Sequence, residues 1–255
     1  MTHKTHLVIP DAHSHPNHHN KRFDWLGRLI VDIKPTTVIM LGDWADMPSL
    51  CSYDKGTKGF EGRRYWKDVN AAIDAQERMF KPIRKAKKKR PHFIMLEGNH
   101  EHRITRAASV DPILDGTISI DDLNYQSFGW DFVPYEGSTP GIRQVDGVAY
   151  AHFFTSGIMG RSISGEHPAY QLIVKQYMSC TQGHTHTTDY AVRTRANGDR
   201  VQGLVAGVYQ DYFADFAGDA NNLWWPGVIV KRNVDDGTYD PEWISLSRIR
   251  REYAR

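Results

Sequence analysis

Short apolar runs that break into glycine, aspartate, asparagine or histidine recur along the chain. Leu7–Pro10 leads into Asp11, Thr37–Leu41 into Gly42-Asp43, and Phe93–Leu96 into Glu97-Gly98-Asn99-His100. Val148–Ala151 leads into His152, and Gln176–Cys180 runs toward Gly183-His184. These runs are short and rich in β-branched, long aliphatic or aromatic residues, which predicts strands buried on both faces. Their polar ends fall where open α/β sheets carry ligands, just past the C-terminal ends of the strands. Between the first strands the period changes. Trp25, Leu26, Leu29, Ile30 and Ile33 mark one face of a helix over Phe23–Ile33. Ile73, Met79 and Phe80 mark another over Val69–Ile83, with Pro82 expected to kink or end it. This alternation predicts a parallel sheet in the first hundred residues. From about Trp130 the runs Arg143–Val145, Val148–Phe154, Leu204–Val208 and Val228–Lys231 are linked by turns such as Asp146-Gly147 and Asn197-Gly198, which predict antiparallel hairpins. With no repeat and no low-complexity linker, the expectation is a single domain over 1–255. It would carry an insertion around 47–67 and a basic tail at 246–255.

Composition narrows the class. The 255 residues are 40% hydrophobic and 24% charged, which excludes a disordered or collagen-like chain. No apolar stretch approaches the roughly 18 residues of a membrane span, so no membrane partner is expected. The start, Met1-Thr2-His3-Lys4-Thr5-His6, lacks an apolar signal region, and Cys51 and Cys180 cannot build a disulfide framework, so the expected home is the cytoplasm. A net charge of +2 excludes a histone-like binder. The unusual figure is 13 histidines, six of them before residue 20.

The strand ends deliver Asp11, His13, Asp43, Asn99, His100, His152, His184 and His186. Carboxylate, imidazole and amide together suit a borderline divalent ion such as Mn²⁺, Fe²⁺, Ni²⁺ or Zn²⁺. In extended backbone, i and i+2 point the same way, so Asp11-x-His13 and His184-x-His186 could each serve one place. Eight candidates exceed the needs of one ion. Two ions about 3.5–4 Å apart require a bridging carboxylate, for which Asp43 is the natural choice.

At these residues the chain resembles the calcineurin-like metallophosphoesterases. Asp11-Ala12-His13 matches the family's D-x-H, Gly42-Asp43-Trp44-Ala45-Asp46 its G-D-x-x-D, and Gly98-Asn99-His100-Glu101 its G-N-H-E. His152 matches a later single histidine, and Gly183-His184-Thr185-His186 matches the final G-H-x-H, all in the family's order. The resemblance implies a four-layer α/β/β/α sandwich, two mixed sheets flanked by helices. It implies that Asp11, His13 and His186 hold one ion, that Asn99, His152 and His184 hold a second, and that Asp43 bridges them. Mn²⁺ is the first expectation, with Fe, Ni, Zn or Mg as alternatives. His100 would protonate the leaving oxygen, with Asp46 orienting it, while a metal-bound hydroxide attacks the phosphoester. The chain departs from the family where Phe153, not glycine, follows His152; His167 is the alternative ligand.

Asp11-Ala12-His13-Ser14-His15 also resembles the opening strand of amidohydrolases and PHP-type phosphoesterases, which would make His15 a ligand inside a (β/α) barrel. The Gly-Asp and Gly-Asn-His strand ends and the hairpin-rich second half fit a barrel poorly. His15, His18 and His19 are then expected in a solvated loop near the metal entrance. For substrate, Lys55, Arg63 and Arg64 interleave with Tyr53, Phe60, Tyr65 and Trp66 directly after the second motif, as phosphate-gripping and base-stacking residues do. Arg103 could reach a phosphate oxygen. The basic run Lys81–Arg90 falls before the third strand, at the end of the sheet opposite the candidate metals. Tyr209–Phe213 and Trp224-Trp225 either wall a pocket or fill the core. The expected activity is therefore hydrolysis of a phosphoester, leaning to DNA, RNA or a nucleotide. A protein or small-molecule phosphomonoesterase and a non-catalytic metal scaffold are the alternatives, and the oligomeric state is open.

Overall fold

The computed structural model describes residues 4–254, with the side chains of Asp215 and Phe216 outside the description. Met1, Thr2, His3 and Arg255, which belong to the predicted signal-free start and basic tail, lie outside the described residues. The elements run β1 (Lys4–Ile9), α1 (Lys21–Ile33), β2 (Thr37–Met40), α2 (Tyr65–Lys85), β3 (His92–Leu96), α3 (His102–Val110), α4 (Tyr125–Phe128) and β4 (Trp130–Val133). They continue with β5 (Arg143–Val145), β6 (Val148–Ala151), β7 (Thr155–Ser156), β8 (Arg161–Ser162), α5 (Pro168–Gln176) and β9 (Ser179–Gln182). The chain then forms β10 (Thr188–Thr194), β11 (Arg200–Ala206), β12 (Gly227–Asp235), β13 (Thr238–Ser245) and α6 (Leu246–Tyr253).

One sheet has the order β13-β12-β1-β2-β3-β4 and a second the order β10-β11-β9-β6-β5. Strands β1 to β4 are parallel, and β12 and β13 extend that sheet antiparallel. Alternate side chains of each central strand go to opposite faces. Leu7, Ile9, Val38, Met40, Phe93 and Met95 bury against α1, α2 and α6. Val8, Ile39, Leu41, Ile94 and Leu96 bury against Val148, Tyr150, Leu204 and Ala206 of the second sheet. That sheet's other face, with Ala149, Cys180 and Val205, is covered by Ala169 and Leu172 of α5. The result is an α/β sandwich with helices on both outer faces, which excludes the barrel and with it the ligand role that the barrel gave His15.

Four expectations need correction. The second half is not simply antiparallel: β6, β9 and β11 run parallel, and the hairpins at Asp146-Gly147 and Asn197-Gly198 only add its edge strands β5 and β10. The run Val228–Lys231 lies in β12 of the first sheet. Gln176 ends α5, so the strand toward Gly183 starts at Ser179. Pro82 neither ends α2 nor opens a gap, because the helix continues to Lys85 and Pro82 seats against Gly27 of α1. A Cβ at Gly27 would meet Met79 O at 2.2 Å and Pro82 Cγ at 2.5 Å, so glycine is what lets the two helices touch. The basic tail forms α6, whose Leu246 and Ile249 are buried in the helix-side core. Among the described residues no helix is long and apolar enough to cross a membrane.

Strand β1 also buries a titratable group between the sheets. His6 Nε2 lies 2.9 Å from Asp146 Oδ2 and Nδ1 lies 2.8 Å from Tyr150 Oη. The neutral ring satisfies both, donating to the carboxylate and accepting from the phenol. Burial pushes its pKa down from 6.5 to about 4, helped by the nearby Lys231 ammonium and opposed by Asp146. As pH falls through about 6.5, the unfolded chain binds a proton here that the folded chain refuses until about pH 4. Stability measured by denaturant unfolding should therefore decline across that window, and His6→Gln should flatten the decline; an unchanged slope would remove His6 as its source.

Candidate metal centre

Five loops converge at the C-terminal ends of β1, β2, β3, β6 and β9. Asp11 and His13 come from the first, Asp43 and Asp46 from the second, Asn99 and His100 from the third, His152 from the fourth, and His184 and His186 from the fifth. The extended i, i+2 geometry does not hold here. His13, Asp43, His184 and His186 have φ of 41°, 54°, 67° and 62°, in the left-handed region that L-residues seldom occupy. Each such residue costs on the order of 1–3 kcal/mol, and such strain gathers at functional sites. The turns split the His184/His186 pair: His186 faces His13, with ring centroids 5.0 Å apart, and His184 faces His152, at 5.1 Å. Glycines permit the crowding. A Cβ at Gly183 would lie 2.1 Å from Asp11 Oδ1, and one at Gly98 would lie 2.1 Å from both Asp43 N and Oδ1.

Three sets of ligand atoms lie within 4.8 Å of one another: Asp11, His13 and His186; Asp11, Asp43 and His152; and His13, Asp43 and His100. Asp43 belongs to two of them. Asn99 Oδ1 is 2.8 Å from His152 Nε2, while His184 stands beside His152 without entering any of the three sets. His152 Nδ1 donates to Leu41 O at 2.9 Å, so its other nitrogen points a lone pair at Asn99 Oδ1 and at Asp43 Oδ2, 3.4 Å away. His13 likewise commits Nδ1 to Asp46 Oδ1 at 3.0 Å, leaving Nε2 to face His186 Nε2 at 3.0 Å. A ring fixed on one nitrogen by a carboxylate or carbonyl is how proteins orient metal-binding histidines. Asp11 Oδ1 is buried with no hydrogen-bond partner, a costly state for a carboxylate oxygen unless a cation takes it. The donor set therefore fits divalent cations, and these buried groups could hold them.

The electrostatics agree with that fit. Burial alone would raise the carboxyl pKa values, but the imidazoles of His100, His152 and His13 outweigh it and hold Asp43 below its ordinary value. Hydrogen bonds with His100 and His13 hold Asp46 well below its own. Burial and the neighbouring imidazole of His152 push His184 down to about 4, keeping its ring neutral. His100 is shifted the other way. Burial lowers its pKa, but Asp43 and Asp46 more than reverse that, against the opposing guanidinium of Arg103. Its Nδ1 is 3.0 Å from Asp46 Oδ1, and its Nε2 is 3.8 Å from Asp43 Oδ2 and 3.1 Å from Arg103 Nη2.

A cavity of about 670 Å³ opens over this cluster, with His13, Asp46 and His100 in its floor. Arg63, Arg64, Lys67 and Arg103 line it. Lys55 is exposed and is not among the lining residues, although its neighbours Asp54 and Thr57 are. Arg63 is tied to Asp54 at 2.6 Å and to Pro48 O at 2.9 Å. His167 precedes α5 and lies outside this cavity and the three ligand sets. His15 and His18, expected in a solvated loop near the metal entrance, line the cavity, His18 with much of its surface exposed; it stacks on Tyr212 with ring centroids 3.7 Å apart and the rings 6° from parallel. Of the late aromatics, Tyr209 is core, Tyr212 and Phe213 line the opening, and Trp224 packs edge-on against His186 at 4.3 Å.

No protein-family model matches this chain, and no curated protein matches it. Among solved structures it is similar to the Pseudomonas putida nuclease MPE, at 12% identity over 93% of this chain and 87% of that one, with a TM-score of 0.40. A likeness at that score carries no argument about activity.

Two residues that hold the centre in shape were not singled out from sequence. Arg22 of α1 is fully buried; it donates to Ala12 O at 2.7 Å, His13 O at 3.1 Å and Tyr209 O at 3.1 Å, and pairs with Asp211 at 3.2 Å. Glu101, the last residue of Gly98-Asn99-His100-Glu101, ties the second loop to the third. It accepts from Asp43 N at 2.9 Å, Gly98 N at 3.0 Å, Ala45 N at 2.8 Å and Tyr125 Oη at 3.1 Å. Burial and the nearby Asp43 carboxylate raise its pKa to about 7. Glu101→Gln would set an amide N–H against one of these donors. Denaturant unfolding should show a loss of about 1–3 kcal/mol, and wild-type stability would contradict the clamp.

Proposed function

We propose that this chain is a single-domain, dinuclear metal-dependent phosphoesterase of the calcineurin-like type that hydrolyses phosphodiesters of nucleic acid or nucleotides. The observation that carries the reading is the convergence of Asp11 and Asp43 carboxylates with oriented imidazole lone pairs at one end of both sheets, beneath a cavity lined by Arg63, Arg64 and Arg103. In this reading Asp11, His13 and His186 hold one cation, Asn99, His152 and His184 hold the other, and Asp43 is shared. Two divalent cations there would offset charge on the phosphoryl oxygens and activate water for attack.

The chain's own groups do the rest. His100 stands at the edge of the cluster with Nε2 toward the cavity, where it can give a proton to the departing oxygen. Asp46 fixes that ring through Nδ1. Arg103 is anchored on Asp46 O at 2.9 Å with its Nη2 3.1 Å from His100 Nε2, so it is placed to take a phosphoryl oxygen beside that imidazole. Arg64 and Lys67 bring further positive charge to the rim. A scaffold that only bound metal would have no need for an imidazole so placed.

Two substitutions test separate parts of this reading. Asp43→Asn should lower bound Mn²⁺ by elemental analysis from about two ions per chain to well under half of that; an unchanged metal count would remove the bridge. His100→Asn should keep its metal yet lose about 10²–10⁴-fold in kcat on substrates with poor leaving groups. Its loss on an activated aryl phosphodiester should be smaller, and equal loss on both would deny His100 the role of acid.

A further inference from the structure

A second cavity, of about 790 Å³, lies on the far side of Tyr212 from the first. It is set between α6 and the segment that follows β11, and four aromatic side chains, Trp25, Tyr212, Phe213 and Trp224, contribute to its lining beside aliphatic and polar ones. Arg250 and Arg251 of α6 stand at its edge, with the Arg250 guanidinium 5.9 Å over the Trp25 ring. Asp211 is its one lining carboxylate and is already paired with Arg22. The volume falls within the roughly 300–1,000 Å³ of organic-ligand pockets.

This cleft adjoins the candidate catalytic site. Gln210, Tyr212 and Phe213 line both cavities, and Trp224 in its wall touches His186 of the metal cluster. The partition between them is rigid. Tyr212 donates through its hydroxyl to His13 O at 2.8 Å and is stacked flat on His18. Phe213, by contrast, leaves 71% of its surface in water, a ring with a free face at the mouth of both cavities.

We propose that this cleft is a stacking subsite for unpaired bases of a single nucleic-acid strand, one step along the chain from the phosphate held at the metal cluster. The proposal deepens the phosphodiesterase reading and rests on it. Every base has a π-face, so aromatic walls hold bases without regard to sequence, while arginines at backbone spacing hold the phosphates. Arg64 and Lys67 line the cavity over the cluster and Arg250 and Arg251 line the adjoining cleft, so cations are at hand in both places a strand would occupy. In a duplex each base is already stacked and paired, and can enter such a cleft only after leaving the helix. The preferred substrate is therefore single-stranded, or frayed at the scissile phosphate.

The test measures fluorescence anisotropy of labelled oligonucleotides of about 12 nucleotides with the full chain, in three forms: single-stranded, duplex, and an abasic strand with the same backbone. Single-stranded DNA should bind about tenfold more tightly than the abasic strand, and more tightly than duplex. Phe213→Ala should weaken single-strand binding about tenfold and leave the abasic strand unchanged. The double variant Arg250→Ala/Arg251→Ala should weaken both and flatten the salt dependence. The Arg250→Ala/Arg251→Ala variant should hydrolyse a small aryl phosphodiester at the wild-type rate. Equal affinity for abasic and normal strands, or a Phe213→Ala protein that binds as wild type does, would overturn the subsite. If wild type with Mn²⁺ fails on the aryl phosphodiester while the binding pattern holds, the phosphodiesterase reading falls and the subsite stands. Hydrolysis of that compound with no preference among the three strands has the opposite meaning.

Discussion

Asp11 and Asp43 are carboxylates kept almost wholly out of water, at 0% and 2% exposure. Removing an ionised carboxylate from water costs several kcal/mol unless opposite charge and donors replace its hydration. Around Asp43 the replacement is partial: His100 N donates to one oxygen, and His152 and His100 face the other. Around Asp11 it is one-sided, since Oδ2 receives His184 N at 2.8 Å and faces His186 Nε2 at 3.1 Å while Oδ1 receives nothing. Everything near these two groups can be understood as holding them where positive charge can reach them.

The two sheets make that placement possible. Because β1 to β4 are parallel, and β6, β9 and β11 are parallel in the other sheet, several strand ends open on one side of the molecule. The sheets are locked by the apolar layer between them and stiffened by helices outside. The loops can then hold His13, Asp43, His184 and His186 at positive φ, because the surrounding structure fixes them more firmly than their own backbone preference opposes it. Glu101 and Arg22 complete the arrangement by satisfying backbone groups of loops that have no strand partner, one with an anion and the other with a cation.

The central strands were legible because burial on both faces leaves an uninterrupted apolar run, as in Thr37–Met40 and His92–Leu96. The candidate ligands were legible because polar residues recurred just after such runs. Pairing direction was not: hydropathy along β6, β9 and β11 is the same whether neighbours run parallel or antiparallel, and the turn at Asn197-Gly198 speaks only for the edge. Nor was the split of His184 from His186, which depends on φ values that residue type does not dictate. Arg22 reads as the polar edge of an amphipathic helix. Its burial arises from carbonyls at Ala12, His13 and Tyr209, two of them close in sequence and one far away. His18 and Tyr212 meet in the same way, through closure of the fold and not through any local signal. Lys55 and Arg64 are alike in sequence terms, yet of the two only Arg64 lines the cavity.

The glycines at the strand ends carry one more implication. The atoms that a methyl at Gly98 would strike belong to the loop after β2, and those at Gly183 belong to the loop after β1. A side chain at either place could not be absorbed by its own segment; the neighbouring loop would have to retreat and draw its aspartate with it. A residue larger than glycine at either place therefore asks for a matching change in a second loop, so that the two loops can be altered only as a pair.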